Sequence, residues 1–381
     1  MEFLGFMTQG IIDLFVHWQQ LFMICVGGLL IFLAIKKGYE PALLLPIGFG
    51  AIIVNIPFSG AINQNMMING SLQEVEGIID FLFEAGIATE LFPLLLFVGI
   101  GAMIDFGPLI SNPKMLFFGA AAQFGIFGTL FIATLLGFDL KDAASIGIIG
   151  AADGPTSIFV ANFFQSNYIG PITVAAYSYM ALVPIIQPFS IKLVTTKKER
   201  LIRMPYKPKS VSRTTRILFP IGVTIIAGLI APTSIALVGM IMFGNLIREC
   251  GVLNTLSEAA QNNLTNLITL LLGITIASKM KAEDFVTFQT FLVIGLGLVA
   301  FIFDTIFGVL FVKFLNLFSK VKMNPMVGAA GISAFPMSAR VIHKMALQED
   351  NQNFILMHTV GANVAGQIAS VIAGGLIILL V

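Results

Sequence analysis

Charge is scarce in this sequence: Lys, Arg, Asp and Glu together make up 11% of its 381 residues. Soluble domains carry about 25%. With 57% hydrophobic residues and a mean hydropathy of +0.94, the chain reads as an integral membrane protein. A formal net charge of +1 offers nothing to a polyanion, so nucleic acid is excluded as a partner. Cysteine is scarcer still. Cys25 and Cys250 are the two thiols, too few for a disulfide framework and without metal-ligand spacing, and they read as inert small hydrophobes. The three histidines, His17, His343 and His358, share no ligand spacing, and no Ser-His-Asp arrangement or phosphate-binding loop is visible. A basic leader is lacking too: Glu2, Asp13 and His17 precede the first apolar run, so no cleavable signal is read. Residues 1–19 are expected to lie on the membrane surface as an amphipathic helix.

What is abundant is apolar sequence in lengths that suit a bilayer, where a spanning helix needs about 20 residues. Spans are expected near 20–35, 41–56, 91–104, 116–137 and 171–191, and again near 217–231, 233–247, 264–278, 287–312 and 355–380. The fold class is therefore an all-α polytopic membrane protein. Between the two groups, residues 192–216 hold nine of the 21 Lys and Arg residues, which marks a basic cytoplasmic linker. Two further segments, 143–163 and 325–342, are too rich in Gly, Pro and polar residues for lipid-facing helices. They read as broken or re-entrant structure, tolerable in a membrane only where the freed backbone lines a cavity or binds something.

The chain also repeats itself. GIIDFLFEA (77–85) lies over GVLNTLSEA (251–259); Gly147, Gly150, Pro155 and Ser157 match Gly328, Gly331, Pro336 and Ser338; and Pro41 and Gly48 match Pro232 and Gly239. Three matches in the same order argue for duplication, with a first membrane repeat at 20–191 and a second at 217–381. Lys36, Lys37 and the linker should all be cytoplasmic, so an even number of crossings separates them. Four spans already do so. The 143–163 segment must then enter and leave from the outer side, and the 325–342 segment from the inner side, giving two inverted-topology repeats, each with a broken hairpin. Lys279 and Lys281 fall outside in this scheme, against the charge rule.

Asp153, in GAADGPTSIF (150–159), is the outstanding candidate for chemistry. An ionised group at bilayer depth costs about 2.5–3.5 kcal/mol even on the lenient insertion scale, and such residues mark ion or substrate paths. Its carboxylate suits a hard cation of the sodium type; alternatively it caps a half-helix. In KMNPMVGAAGISAFPMSARV, Asn324 and Ser333 supply neutral oxygens, Gly328 permits close backbone approach, and Arg340 either snorkels or pairs with a carboxylate. Tyr179, with Tyr177 as the weaker alternative, and Asn363 occupy comparable places after the two hairpins. A phenol could relay a proton and an amide could ligate an ion, or both could simply pack.

GAADGPTSIF, AAYSYMALVPIIQP, NPMVGAAGISAFPMSARV and GANVAGQIAS resemble the signature segments of the beta subunits of sodium-pumping biotin-dependent decarboxylases, from about residue 20 to the end. That resemblance implies decarboxylation of carboxybiotin carried on a partner subunit, coupled to sodium export with uptake of a proton. It implies a scaffold and a moving core in a bacterial or archaeal cell membrane, biotin-carrier and carboxyltransferase partners, a small gamma subunit and a homotrimer. By motif it implies Asp153 and Asn363 at the sodium site, Arg340, Tyr179 and Ser333 in the chemistry, and Arg340, Asn324 and Gly328 on the carboxybiotin side. A sodium-coupled organic-anion transporter of inverted-repeat type is the alternative that repeats and broken helices alone would support.

Overall fold

The computed structural model describes residues 10, 12–38, 40–68, 71–206 and 210–381. Most of the expected surface helix at 1–19 lies outside the described residues. Its described part is helical over 12–16, where Ile12, Phe15 and Val16 are exposed, and breaks at His17.

The principal helices are α1 (Trp18–Lys37), α2 (Pro41–Val54), α3 (Leu91–Met103), α4 (Pro113–Leu135), α5 (Leu140–Gly147), α6 (Gly154–Phe163), α7 (Ile169–Val194), α8 (Arg213–Ile230), α9 (Ile235–Glu249), α10 (Thr265–Ile276), α11 (Phe288–Phe318), α12 (Met337–Glu349) and α13 (Leu356–Leu380). Strands Gln64–Ile68 and Ser71–Val75 pair as an antiparallel hairpin. Among the described residues, six helices are long and apolar enough to cross a membrane, α1, α4, α7, α8, α11 and α13; α3 joins the bent helix Ile78–Ala88 at 60° to make a seventh. The protein is thus a multi-pass, mostly helical membrane protein. α13 lies at its centre, with 72% of its most apolar stretch buried, and α8 at its rim, with 11%.

One expected span, α2, is shorter than a full crossing, with 14 residues, about 21 Å at 1.5 Å per residue against a hydrocarbon core of about 30 Å. α9 and α10, of 15 and 12 residues, are continued at their N-terminal ends by the 3₁₀ turn Pro232–Ser234 and the π turn Ala259–Leu264. They pack crosswise between the halves, α2 on α10 and α3 on α9. Small residues allow the approach: a methyl added to Gly273 would come within 2.8 Å of Pro46 Cβ, and one on Gly244 within 2.9 Å of Ala102 N. A π-helical turn begins at the end of each matched segment, Glu84–Ala88 and, one position later in register, Ala259–Leu264.

Both Gly-rich segments are broken. The first runs as α5, a 3₁₀ turn Ile148–Ala151, Ala152 at φ +53°, and then α6 capped by Asp153. Pro155 in the first turn of α6 has no N–H to satisfy there. The second holds a short helix Met326–Ala329, turns through a cis Phe335–Pro336 peptide, and continues as α12 to Glu349, beyond the expected end at 342.

The linker is narrower than the sequence implies, because α7 runs to Val194 and α8 begins at Arg213. Its first part docks on the second broken segment. Arg200 pairs with Glu349 at 2.6 Å and Arg203 with Asp350 at 2.6 Å, while Asn324 Nδ2 donates to Arg200 O and Ile202 O at 2.8 and 2.9 Å.

Candidate functional site

The tips of the two broken segments meet at the backbone: Ser333 N donates to Ala151 O at 2.9 Å. This contact follows from the breaks themselves, since residues freed from a helix must find partners elsewhere. Asp153 sits immediately past it, 3% exposed. Its Oδ2 accepts from Thr156 Oγ1 at 2.7 Å, Ser370 Oγ at 2.9 Å and Ser333 Oγ at 3.2 Å. Its Oδ1 has only the long contact from Thr156 N at 3.5 Å. Asp153 thus caps α6 weakly, and three hydroxyls from two halves of the chain converge on it.

α13 closes the other side. Asn363, Gln367 and Ser370 are spaced i, i+4, i+7, one face of the helix. Asn363 Nδ2 donates to Ile332 O at 2.7 Å and Ala330 O at 3.3 Å, and Gln367 Nε2 donates to Ser333 O and, at 2.8 Å, to Ser333 Oγ. These bonds tie the freed carbonyls of the second break to α13. They leave Asn363 Oδ1 and Gln367 Oε1 buried without partners. A buried amide oxygen without a partner costs about 1–3 kcal/mol, and oxygens of this kind, like carboxylates and hydroxyls, are the ligands that hard cations take.

The sequence candidates separate into three places. Ser333 bonds to Asp153, and Asn363 reaches the same break through the carbonyls of Ala330 and Ile332. Tyr179 lies on the other side of α7, its hydroxyl donating to Ile294 O of α11 at 2.5 Å. The neighbouring phenol is the one beside the site: a methyl on Gly154 would fall 2.7 Å from Tyr177 Cδ1, and Tyr177 Oη is buried and unpartnered. Asn324, Gly328 and Arg340 lie away from Asp153. Asn324 holds the linker, Gly328 packs on α11, where a methyl would meet Val312 Cγ2 at 2.7 Å, and Arg340 is exposed on α12 with its charge felt at Glu40, beside the Lys36–Lys37 end of α1.

Sequence reasoning missed Thr156, Gln367 and Ser370. The signal was present as a polar stripe, Asn363, Gln367, Ser370, repeating at helical period through an otherwise apolar span.

Residues 19–381 match the family model described as the Na+-transporting oxaloacetate decarboxylase beta subunit. The chain is 46% identical to the methylmalonyl-CoA decarboxylase subunit beta of Propionigenium modestum, over 98% of this chain and 99% of the relative. It is 47% identical to the glutaconyl-CoA decarboxylase subunit beta of Acidaminococcus fermentans, over 96% and 94%. To the oxaloacetate decarboxylase beta chain of Klebsiella pneumoniae it is 41% identical over 99% of both chains. A joined pair of broken membrane segments around a buried carboxylate, in a chain this similar end to end, belongs to the family of decarboxylase beta subunits of the sodium-transporting biotin-dependent decarboxylases.

Proposed function

We propose that this chain decarboxylates carboxybiotin, brought by a biotin-carrier subunit, and couples that reaction to sodium export with consumption of one proton. The observation that carries the reading is the convergence on Asp153 of Thr156, Ser333 and Ser370, with the free amide oxygens of Asn363 and Gln367 close by on α13. Sodium is the cargo of this site. Asp153 supplies the charge and Asn363 a neutral oxygen, and the hydroxyls, which now donate to Asp153, can turn their lone pairs to the ion.

The carboxybiotin end is the cytoplasmic one. Arg340 holds the carboxylate there through its forked guanidinium, on α12 of the broken segment whose earlier part Asn324 fixes to the linker and Gly328 seats on α11. Decarboxylation is helped by removal of the carbamate from water and requires a proton on the ureido nitrogen. Ser333 and a phenol of α7 are the groups between the two ends that can pass it. Tyr177 is better placed towards Asp153, and Tyr179 reaches α11.

The matching π turns and the crosswise packing of the short helices favour two inverted repeats, 20–191 and 217–381, joined by a cytoplasmic linker. In that topology Lys279 and Lys281 fall outside, against the charge rule, and Lys281 is paired with Asp80 at 3.1 Å. The two broken segments with α13 form the moving core on a scaffold of α2, α3, α9 and α10, and the complex includes a carboxyltransferase, a small gamma subunit and three copies of this chain. Family membership favours decarboxylation over an organic-anion transporter.

The test is reconstitution of the complex in vesicles supplied with carboxylated carrier, measuring carbon dioxide release and sodium uptake. Wild-type protein should show release that needs sodium and drives uptake, and Asp153→Asn should lose both. Release without sodium and without uptake defeats the pump; sodium activation retained in Asp153→Asn removes Asp153 from the ion site.

A further inference from the structure

A second carboxylate, Asp304, is buried in the middle of α11 with no exposed surface. Both of its oxygens lack a hydrogen-bond partner. The amides of Gly125 and Ile126, at the restart of α4 after its break at Gln123, face it and favour its charge weakly, and Ile126 N donates to Gln123 O at 3.2 Å. On its other side stands the 3₁₀ turn that leads into Asp153, where a methyl on Gly150 would lie 2.8 Å from Asp304 Oδ2.

An ionised carboxylate so placed would be an uncompensated buried charge, which costs several kcal/mol, whereas the neutral acid is a far smaller burden. Packing alone does not account for it, because an apolar side chain would fill the place without that cost. Sodium does not fit either. A hard cation needs a shell of several oxygens, and Asp304 is enclosed by Gly125, Gly150 and Ala300, so tightly that a methyl on Gly125 would overlap Oδ1. A proton needs no shell. Nearby hydroxyls extend the polar strip: Thr129, one turn beyond Gly125 on the same face of α4, and Thr305 are both fully buried and unpartnered.

We propose that Asp304 is a proton-binding site of the membrane interior, separate from the cation site at Asp153. An O–H bond forms on its carboxylate when a proton arrives from water and breaks when the proton is handed to the reaction that consumes one. That use rests on the function proposed above; the site itself rests on the burial and enclosure of Asp304. Its surroundings are free of competing charge. The elements packed on this part of α11 carry Lys114, Lys141, Asp142, Tyr177, Tyr179 and Lys192, and none of them pairs with it.

The test begins with the wild-type complex and dicyclohexylcarbodiimide, an apolar reagent that attacks protonated carboxyls, with modified residues located by peptide mass spectrometry. Asp304 should be labelled, and sodium should not alter the labelling. Labelling that sodium blocks, or no labelling at any pH, overturns the proposal. In the reconstituted complex, Asp304→Asn should reduce turnover and proton uptake at least tenfold and flatten the pH profile, while Asp304→Glu keeps a pH-dependent turnover with a displaced profile. Wild-type turnover with a wild-type profile in Asp304→Asn overturns it equally. If the asparagine variant fails to assemble, the labelling decides. If wild-type protein shows no sodium-coupled turnover, the proposed function falls and the labelling still decides Asp304.

Discussion

Ser370 Oγ lies 2.9 Å from Asp153 Oδ2, a hydrogen bond between the first broken segment and the last helix of the chain. The same hydroxyl is 2.8 Å from Ser333 Oγ, which also reaches Asp153. Ser370 therefore joins three elements at one carboxylate, and its removal tests whether they act as one site. A hydrogen bond to a charged group contributes about 1.5–3 kcal/mol, so Ser370→Ala should raise the sodium concentration for half-maximal turnover by about tenfold or more. Sodium titration of carbon dioxide release measures it. An unchanged sodium requirement would leave Ser370 a packing residue.

The two tyrosines of α7 make opposite predictions. Tyr179 donates a hydrogen bond to Ile294 O, so Tyr179→Phe should cost about 0.5–1.5 kcal/mol of stability, read as a lower melting temperature of the purified complex. Tyr177 Oη has no partner to lose, so Tyr177→Phe should leave the melting temperature within error. Any fall in turnover in that variant then reports chemistry or ion handling. A larger melting shift in Tyr177→Phe than in Tyr179→Phe would contradict the placement of both rings.

Much of this was legible in the sequence for physical reasons that can be named. Gly and Pro clustered with polar residues within apolar runs marked both breaks, because residues without a Cβ or an N–H weaken a helix, whereas the isolated prolines Pro46, Pro184, Pro188 and Pro220 lie inside unbroken helices. Asp153 stood out because charge is so rare here. Neighbourhood was harder to read. Tyr177 and Tyr179 differ by two positions, about 200° around a helix, and only the packing of α7 shows which ring meets Gly154. Asn324 looked like a site residue from its run, yet its amide is spent on carbonyls of the linker more than 120 residues away, a tertiary contact with no local signal. Asp304 is not legible, because a lone carboxylate in a long apolar helix, without Gly or Pro beside it, carries no mark of what it faces.

Gly328 tests a packing role against a ligand role. A methyl there would meet Val312 Cγ2 at 2.7 Å, and the backbone of Gly308 lies closer still. Gly328→Ala should therefore destabilise by about 1–3 kcal/mol through overpacking. Gly308→Ala, on the facing helix, should impair the protein in the same way. If Gly328→Ala lowers use of the carboxylated carrier at unchanged melting temperature while Gly308→Ala does nothing, Gly328 belongs to the carboxybiotin surface directly.

Sidedness can be checked at Lys198, exposed in the linker. With Cys25 and Cys250 replaced by serine, Lys198→Cys should react with a membrane-impermeant maleimide in inside-out vesicles and not in intact cells. Reaction from outside the cell would invert the topology and move Arg340 away from the carrier.

The docking of the linker on the second broken segment should depend on pH in a defined direction. Arg203 and the Gln352 N–H hold the Asp350 carboxyl below the usual carboxylate range. At Glu199, partial burial pushes the carboxyl up, but the Thr196 N–H, Lys313 and the Thr196 hydroxyl together bring it below that range. A carboxyl whose folded value is depressed contributes stability that is fully present above its unfolded value, near 4, and is lost as pH falls through the folded value. Amide hydrogen exchange across 195–206, corrected for the intrinsic pH dependence, should therefore stay slow from neutral pH down to about 4 and accelerate below it. Arg203→Ala should bring part of that acceleration to neutral pH, since it removes the partner of Asp350 and of Gln352 Oε1 together. Protection that is equal at about pH 3 and about pH 7 would show that Asn324 and Asn353, which do not titrate, hold the linker without help from the ion pairs.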